Sequence, residues 1–475
     1  MKPGIPLSIA VLLGMIFFTP NLMGQKKHPN IVLIVVDDLG YGELGCQGNP
    51  EIPTPNIDSI AESGVRFTQG YVTASYCSQS RAGLLTGRHQ LRFGYEINPI
   101  GAVNDDPDVG LPLTEKTLAT QLKNNGYVTG LFGKWHLGAS SRFLPLRRGF
   151  DDFFGFLHEG HYYAPPPYFD LVTWLRRKVL PGGGEGRYIS RDRRTIYSTH
   201  MGNNEPIYDA NNPIYRGGQP VVEEDYLTDA ITREGINFIR KNADKPFFLM
   251  LSYNAVHSPM QGADRYVHKF RKIKDIQRRI FAAMLSNLDD SIGDINAALQ
   301  QLNPQDNTLI FLLSDNGGPT RELTSSNLPL RGEKGTLYEG GLRVPFMAQW
   351  NGKIPAGAVY RQPVSSLDIF ATIQNLVQFK NGSDQIDGVD LLPFLTGAKT
   401  GRPHDHLFWK SRRHSALRKG DWKIIHDRKT DQYEVYDLSA DIGESSNLVR
   451  ANPEKFQQLK TDLETILQEA TADQP

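Results

Sequence analysis

Short runs of apolar residues, each followed at once by polar residues, recur along this chain. The clearest runs are Ile31 to Val36, Tyr127 to Phe132, Phe247 to Leu251 and Leu309 to Leu313. Near-continuous apolar runs of this length are typical of parallel strands that are covered on both faces of a sheet. The polar residues that follow them would then lie at the carboxyl ends of the strands, where α/β sheets bind their ligands.

Helical periodicity separates the apolar runs. One stripe contains Leu227, Ile231 and Phe238, and a longer one contains Ile276, Ile280, Met284, Leu288, Ile292, Ile295 and Leu299. Alternation of strands and helices predicts an α/β fold with a large, mostly parallel sheet sandwiched by helices.

The regular pattern stops between residues 159 and 224, where proline, glycine, aromatic and basic residues are frequent. We expect an irregular insertion in a catalytic domain that spans residues 25–400. Long segments of this kind are functional loops or disordered inserts. Two interpretations stay open: a segment over the active-site face that helps to choose the substrate, and a solvated surface loop.

A different pattern begins near residue 401. Two short apolar runs, Trp422 to Ile425 and Tyr433 to Tyr436, flank a polar turn, and an amphipathic helix follows from about Phe456 to Leu467. This order predicts a small C-terminal α+β domain over residues 401–475, made of a small antiparallel sheet and a helix.

The first 24 residues have the pattern of a secretory signal peptide. Lys2 precedes an apolar stretch from Ile5 to Phe18, and small residues near Gly24 offer a cleavage site. A membrane anchor is the alternative, but the stretch is short for a spanning helix and Pro20 follows it. We therefore predict an exported protein, periplasmic or secreted, without stable membrane insertion.

Charge is balanced over the 475 residues, with 52 basic and 52 acidic side chains. A neutral total gives no reason to expect nucleic acid as a partner. Any attraction for an anionic substrate must therefore come from a few cations gathered in one pocket.

Two acidic or amide-bearing pairs follow predicted strands and form a candidate metal site. Asp37 and Asp38 follow the first strand, and Asp315 and Asn316 follow another. Three carboxylates and an amide oxygen suit Ca²⁺, or less well Mg²⁺, better than zinc. Paired acids are also common as turn residues and helix caps, which is the alternative for each pair alone.

Candidate cations lie in other polar segments. Lys134 and His136 are two residues apart, so they share a face of an extended chain. His257 follows a predicted strand, and Lys334 lies in a glycine-rich segment that allows close backbone approach to a small anion. A lone lysine is usually a solvated charge and a lone histidine is usually a structural one, but together these residues suit a tetrahedral oxyanion ester.

The chain has only two cysteines, Cys46 and Cys77, so it is not a disulfide scaffold, although the two could pair with each other. The run from Tyr76 to Arg88, YCSQSRAGLLTGR, closely resembles the signature C-x-P-S-R-x-x-x-L-T-G-R of the type I, formylglycine-dependent sulfatases. Gln79 stands where that family usually has proline.

Further segments resemble the same family in the same order. They are the strand and acidic loop from Pro29 to Gly42, the segment Thr54 to Asp58, the Gly133-Lys134-Trp135-His136-Leu137-Gly138 box, the Ser314 to Gly318 box and the Lys334 box. The resemblance covers most of the chain and implies an alkaline-phosphatase-like fold and a sulfuric ester hydrolase.

The resemblance also implies roles for individual residues. Cys77 would be oxidised to formylglycine (3-oxoalanine) by a maturation enzyme and would become the nucleophile. One calcium ion would be held by the modified Cys77 and by Asp37, Asp38, Asp315 and Asn316. Arg81, Lys134 and His136 would support the modified residue, and Lys134, His257 and Lys334 would bind the sulfate and its leaving oxygen. His158 and Glu159 lie near a further polar contact of the family and receive no role.

A hydrated aldehyde at position 77 has two hydroxyls, so one can attack sulfur while the other later expels sulfate. Export and the aromatic, basic insertion favour a sulfated polysaccharide or oligosaccharide as the substrate. Two alternatives stay open: a phosphonate or phosphodiester hydrolase of the same superfamily, and a non-catalytic protein that binds sulfated glycans with Cys77 unmodified.

Overall fold

The structure is a computed structural model that describes residues 28–302, 307–380 and 385–472, together with Met1 and Gln474. The predicted signal peptide at residues 1–24 lies outside the described residues apart from Met1. No helix in the described part of the chain is both long enough and apolar enough to cross a bilayer.

Strands alternate with helices through most of the described residues. The strands are β1 (Asn30–Val36), β2 (Val65–Phe67), β3 (Gly70–Tyr71), β4 (Val128–Lys134), β5 (Asp152–Phe156), β6 (Leu171–Arg176), β7 (Arg187–Ile189), β8 (Thr195–Ser198), β9 (Ile214–Arg216), β10 (Gln219–Val221), β11 (Phe247–Tyr253), β12 (Met260–Ala263), β13 (Thr308–Ser314), β14 (Phe346–Gln349), β15 (Ala358–Tyr360), β16 (Val364–Ser365), β17 (His406–Lys410), β18 (His414–Lys419), β19 (Trp422–Asp427) and β20 (Gln432–Asp437).

The helices are α1 (Pro55–Glu62), α2 (Cys77–Thr86), α3 (Leu118–Asn124), α4 (Leu227–Lys241), α5 (Asp264–Val267), α6 (Ile276–Leu302), α7 (Thr320–Leu323), α8 (Glu339–Leu342), α9 (Leu367–Val377), α10 (Leu392–Leu395) and α11 (Pro453–Ala472). Short 3₁₀ turns lie at Tyr41–Glu43, Gly45–Gln47, Gln90–Phe93, Gly101–Asp105, Pro145–Arg147 and His268–Phe270.

The central sheet has the strand order β10-β9-β5-β4-β11-β1-β13-β14-β2-β15. Its middle strands, β5, β4, β11, β1 and β13, run parallel. Every residue of β1 is buried, because apolar layers cover both faces of the sheet. Val32, Ile34 and Val36 face the layer that contains α4 and α6, and the alternate residues of β1 face the layer that contains α2 and α9. The predicted α/β fold with a large, mostly parallel sheet is confirmed.

A smaller antiparallel sheet of β17-β18-β19-β20 follows the main sheet. Its inner face packs on α11 through Leu417, Ile424, Val435, Leu459 and Leu463. The other face packs through Trp409 and Ile425 on Tyr71, Leu337 and Leu342 of the preceding part of the chain. This small α+β unit agrees with the predicted fold class.

The insertion at residues 159–224, expected to be irregular, has most of its residues outside strands and helices, but it also includes short strands. The segment contains β6, β7, β8, β9 and β10. β6, β7 and β8 join β12 in a separate four-stranded sheet, and β9 and β10 extend the edge of the central sheet. Most of these strands are only three or four residues long and lie between glycine- and proline-rich turns, so their period-two pattern is too short to identify from the sequence.

Candidate active site

The register of the central sheet brings the two acidic pairs together. β1 pairs with β13 so that Val36 lies opposite Ser314. Asp37 and Asp38 therefore follow one strand end, and Asp315 and Asn316 follow the neighbouring strand end. The backbone N–H of Asp38 lies 3.4 Å from Asp315 Oδ1, although 277 residues separate the two positions.

Cys77 lies at the start of α2, directly against the acidic edge that is formed by Asp37, Asp38, Asp315 and Asn316. The preceding Tyr76 is extended, so the helix begins at Cys77 itself. The Cys77 side chain is buried, and its Sγ lies 3.5 Å from Asp37 Oδ1. Burial raises the pKa of the thiol well above its ordinary value, and the Asp315 carboxylate adds to the rise. Residue 77 is therefore held as a neutral thiol, which is a poor nucleophile.

The acidic edge has the composition of a site for a hard divalent cation. Ligand atoms of Asp37, Asp38, Cys77 and Asp315 all lie within 4.8 Å of one another. Asn316 Nδ2 donates to Asp38 Oδ1 at 2.6 Å, whereas its buried Oδ1 has no hydrogen-bond partner. An orphaned amide oxygen beside three buried carboxylates fits a cation that accepts oxygen ligands. Burial raises the pKa of Asp315, and the neighbouring Asp37 raises it further.

Arg81 and Lys134 hold the same carboxylates from the protein side. Arg81 donates through Nε to Asp315 Oδ2 at 2.8 Å and through Nη1 to the Ser252 hydroxyl at 2.6 Å. Lys134, at the end of β4, donates through Nζ to Asp37 Oδ2 at 2.6 Å. Both cations are buried, so their positive charges are weakly screened by solvent and act strongly on residue 77.

His257 and Lys334 approach Asp38 from the cavity side. Lys334 Nζ lies 2.7 Å from Asp38 Oδ1, and His257 Nε2 lies 3.6 Å from Asp38 Oδ2. Burial by itself would raise the pKa of Asp38, but Lys334 and His257 lower it to about 2. Burial and the Lys334 charge lower the pKa of His257 to about 4.

His136 adopts an unusual backbone conformation, with φ at 56°. Its carbonyl accepts a hydrogen bond from the Ser78 hydroxyl at 2.7 Å, and that hydroxyl also lies 2.7 Å from Tyr95 Oη. His136 Nε2 lies 2.9 Å from the Pro99 carbonyl, so Nε2 carries the proton and donates it. The buried Nδ1 has no partner and presents a lone pair.

A cavity of about 420 Å³ opens over the acidic edge and Cys77. Cys77, His257 and Lys334 lie on its wall, together with residues of the 159–224 segment such as Arg176 and Tyr208. This segment therefore lies over the same face as the candidate nucleophile, as one of its two sequence interpretations proposed.

Several polar side chains that support the site were not predicted from the sequence. Ser252 accepts a hydrogen bond from Arg81, Ser78 donates to the His136 carbonyl, and Tyr95 contacts Ser78. A single hydroxyl carries no sequence pattern that marks it. Arg176 is one of the basic residues of the 159–224 segment, and it pairs with Glu205 and Glu322. These pairings join residues distant in sequence, so only the folded chain reveals them.

Gln79, His158 and Glu159 take defined positions. Gln79 Nε2 donates to the Glu96 carbonyl at 2.6 Å, which ties the start of α2 to the following loop. His158 Nε2 lies 3.1 Å from Asp105 Oδ1. Glu159 accepts hydrogen bonds from the Gly101 N–H and from Asn104, and it lines the cavity. Cys46 and Cys77 are both free thiols.

Comparison with known proteins shows the family of this chain. Residues 29–379 match the family model described as Sulfatase, and residues 332–473 match one described as N-sulphoglucosamine sulphohydrolase, C-terminal. Human arylsulfatase A is 32% identical over 476 residues, covering 92% of this chain and 87% of that protein. N-acetylgalactosamine-6-sulfatase of Canis lupus familiaris is 32% identical over 436 residues, covering 90% of this chain and 77% of that protein.

A solved structure is similar over almost the whole molecule. It is the crystal structure of Ps i-CgsB in complex with k-i-k-neocarrahexaose, which superposes with a TM-score of 0.81 at 32% identity and covers 94% of both chains. The fold and the site thus define an alkaline-phosphatase-like hydrolase with a buried acidic cluster beside Cys77. The chain belongs to the sulfatase family, and it is a sulfuric ester hydrolase.

Proposed function

We propose that this protein releases inorganic sulfate from a sulfated carbohydrate, through a formylglycine derived from Cys77 and beside one calcium ion. The observation that carries the proposal is the position of Cys77 Sγ, 3.5 Å from Asp37 and within 4.8 Å of the other acidic ligand atoms. A side chain at this position shares one small, buried space with a divalent cation.

Asp37, Asp38, Asp315, Asn316 and the modified residue 77 are the proposed ligands of the ion. When bound, the cation lowers the pKa of an oxygen nucleophile beside it and offsets negative charge on the sulfuryl group. Ca²⁺ is favoured over Mg²⁺ because Ca²⁺ accepts six or more oxygen ligands in irregular geometry.

The remaining side chains bind the ester and move protons. Lys134 pairs with Asp37 and Arg81 pairs with Asp315, and these direct ion pairs hold the two carboxylates in position. Lys334 and His257 reach the cavity from one side, so they are the groups that bind the sulfate, and one of the two protonates the leaving oxygen. His136 presents its lone pair at Nδ1 and accepts a proton at residue 77.

Maturation of Cys77 is the condition for this activity. The thiol itself is buried and neutral, so an unmodified enzyme would lack a nucleophile. Arg81 and the Leu85-Thr86-Gly87-Arg88 end of the motif are present, so we propose that conversion occurs in spite of Gln79.

Co-expression with a formylglycine-generating enzyme tests the proposal. Peptide mass analysis measures the fraction of Cys77 converted, metal analysis identifies the ion, and ion chromatography measures released sulfate. Cys77→Ala is the control, because it changes one small side chain in the same fold. Full conversion without sulfate release from any sulfated sugar would contradict the proposed function and support glycan binding without catalysis.

The substrate class is proposed from the relatives and from the cavity. The named relatives include N-acetylgalactosamine-6-sulfatase and a protein crystallised with k-i-k-neocarrahexaose. The cavity offers apolar surface from Tyr76, Pro206 and Pro319 beside polar groups, a mixture that suits a sugar ring. A screen of sulfated mono- and oligosaccharides, read out as free sulfate, identifies the sugar.

We also propose that residues 1–24 are a cleaved signal peptide, so that the mature protein is periplasmic or secreted. The catalytic part would then span residues 25–400 and the small C-terminal part residues 401–475. N-terminal sequencing of protein recovered from the periplasm or medium tests the cleavage, and cytoplasmic protein with an intact N-terminus would contradict it.

A further inference from the structure

The cavity over Cys77 has two parts of different charge. One part contains Lys334 and His257, which lie beside Asp38 of the acidic edge. The other charged lining residues among those described, here called the outer wall, are the acidic Glu159, Glu322 and Glu333 and the basic Arg176 and Arg321. The outer wall is therefore where the rest of a sulfated sugar would lie.

Arg176 does not act as a free cation in this wall. Its Nη2 lies 2.7 Å from Glu205 Oε1, and its Nη1 lies 2.9 Å from Glu322 Oε1. The same guanidinium also donates through Nε to Glu205 Oε2 at 3.0 Å. One positive charge is thus shared between two carboxylates, which leaves this cluster with an excess of negative charge.

Glu322 is the member of the cluster that reaches both the cavity and the catalytic loop. Its Oε1 accepts a hydrogen bond from the Ser258 hydroxyl at 2.7 Å, and Ser258 directly follows His257. The Glu322 side chain is 22% exposed, whereas that of Glu205 is 2% exposed. Glu322 is therefore a carboxylate that solvent or substrate can contact, and it lies close to His257.

The other two acids of the wall are held in place by the backbone. Glu159 accepts from the Gly101 N–H at 2.9 Å, and Glu333 accepts from the Arg321 N–H at 3.1 Å. Neither carboxylate is neutralised by a paired basic side chain in these contacts. With Arg321 as the one remaining cation of the outer wall among the described residues, negative charge exceeds positive charge there.

We propose that Glu322 is a specificity-determining residue, which selects sugar units with free hydroxyls beside the sulfate ester and rejects units with a second anionic group. This inference rests on the proposed function. A carboxylate accepts hydrogen bonds and cannot donate them, so it pairs with sugar hydroxyls and repels a neighbouring sulfate or uronate. The substrate class is thus a monosulfated, otherwise neutral sugar unit, and discrimination arises from repulsion in the outer wall.

The test compares matched substrates on the matured, calcium-loaded enzyme. The probes are methyl β-galactopyranosides and methyl N-acetyl-β-galactosaminides with one sulfate, and the same glycosides with a second sulfate on the adjacent oxygen. Sulfate release gives kcat/KM for each. For the pair of glycosides that the wild type hydrolyses best, we expect kcat/KM to be about tenfold higher for the monosulfated glycoside than for the disulfated one. One additional like charge near a partly buried carboxylate produces an effect of this size.

Three variants separate charge from structure. Glu322→Gln removes the charge and keeps the shape. The ratio of kcat/KM for the monosulfated glycoside to that for the disulfated one should therefore fall at least threefold, because kcat/KM for the disulfated glycoside rises. Glu322→Asp keeps the charge and should keep the preference. Glu464→Gln, an exposed acid on α11, is the matched control and should leave both rates unchanged.

The outcomes distinguish this inference from the proposed function. Sulfate release with a wild-type preference for the disulfate, or an unchanged ratio in Glu322→Gln, would overturn the role of Glu322 while leaving the sulfatase activity intact. Equal loss of the preference in Glu322→Asp and Glu322→Gln would assign Glu322 a packing role and also overturn it. No sulfate release from any probe or sulfated oligosaccharide by fully converted enzyme would instead contradict the proposed function.

Discussion

Replacement of Lys334 by alanine gives the most direct test of the cationic end of the cavity. Lys334 Nζ lies 2.7 Å from Asp38 Oδ1 and lines the cavity over Cys77. A charged donor held in place before the reaction stabilises developing negative charge, and removal of one such donor typically lowers kcat by about 10²–10³. We therefore expect Lys334→Ala to lose about 3–4 kcal/mol of transition-state stabilisation.

Metal content should not change in this variant. Asp38 loses one ion pair, but it keeps its contacts with Asn316 and His257, and a bound cation would replace the lost positive charge. The assay is kcat and KM for 4-nitrophenyl sulfate, with calcium measured by elemental analysis on the same samples. Lys334→Arg is the control that keeps a positive charge at a different position, and we expect it to recover part of the rate.

Two results would refute this reasoning. Retention of more than half of the wild-type kcat in Lys334→Ala would show that Lys334 is not in contact with the reacting group. Loss of calcium together with the rate would show that Lys334 acts by organising Asp38 instead of by stabilising charge on the ester.

Three further predictions concern the metal edge, the C-terminal sheet and pH. Asp315→Ala should lose both bound metal and activity, because it removes a ligand and the partner of Arg81; elemental analysis and sulfate release measure the two losses, and normal metal content would contradict the ligand assignment. Lys423→Met removes the lysine that pairs with the buried carboxylates of Glu339 and Glu444. The free energy of unfolding, measured by chemical denaturation, should fall by about 3–5 kcal/mol, and a change below about 1 kcal/mol would contradict the pairing. Burial lowers the pKa of His404, but the Asp368 carboxylate at 2.8 Å outweighs it, so the pKa lies above the usual 6.5. The stability that wild type gains over His404→Gln should be fully present below pH 6.5 and disappear as the pH rises through the folded-state pKa; a difference that grows with pH in denaturation curves would refute this.

Much of the fold followed from local patterns in the sequence. The four apolar runs that predicted central strands became β1, β4, β11 and β13, and the two longest apolar stripes became α4 and α6. These elements are long enough for burial on a sheet or a helix face to impose its period on the sequence. The short strands of the 159–224 segment were missed because three residues between turns carry no such period.

The candidate residues were also selected from the sequence, but their assembly was not. Motif order and chemistry marked Asp37, Asp315, Cys77 and Lys334 without any coordinates, and their roles as metal ligands or catalytic groups stay predictions. The structure adds that the β1–β13 register brings the acidic pairs together and that α2 begins with Cys77 beside them.

The sequence by itself determined the class of fold, the family and the candidate residues for the chemistry, because these depend on local periodicity and on short motifs. Tertiary structure alone decided the free lone pair of His136 Nδ1, the hydrogen bond of Gln79 and the sharing of Arg176 between two carboxylates. Each of these properties depends on contacts between segments far apart in the chain, and such contacts exist only after the sheet and its covering layers have packed.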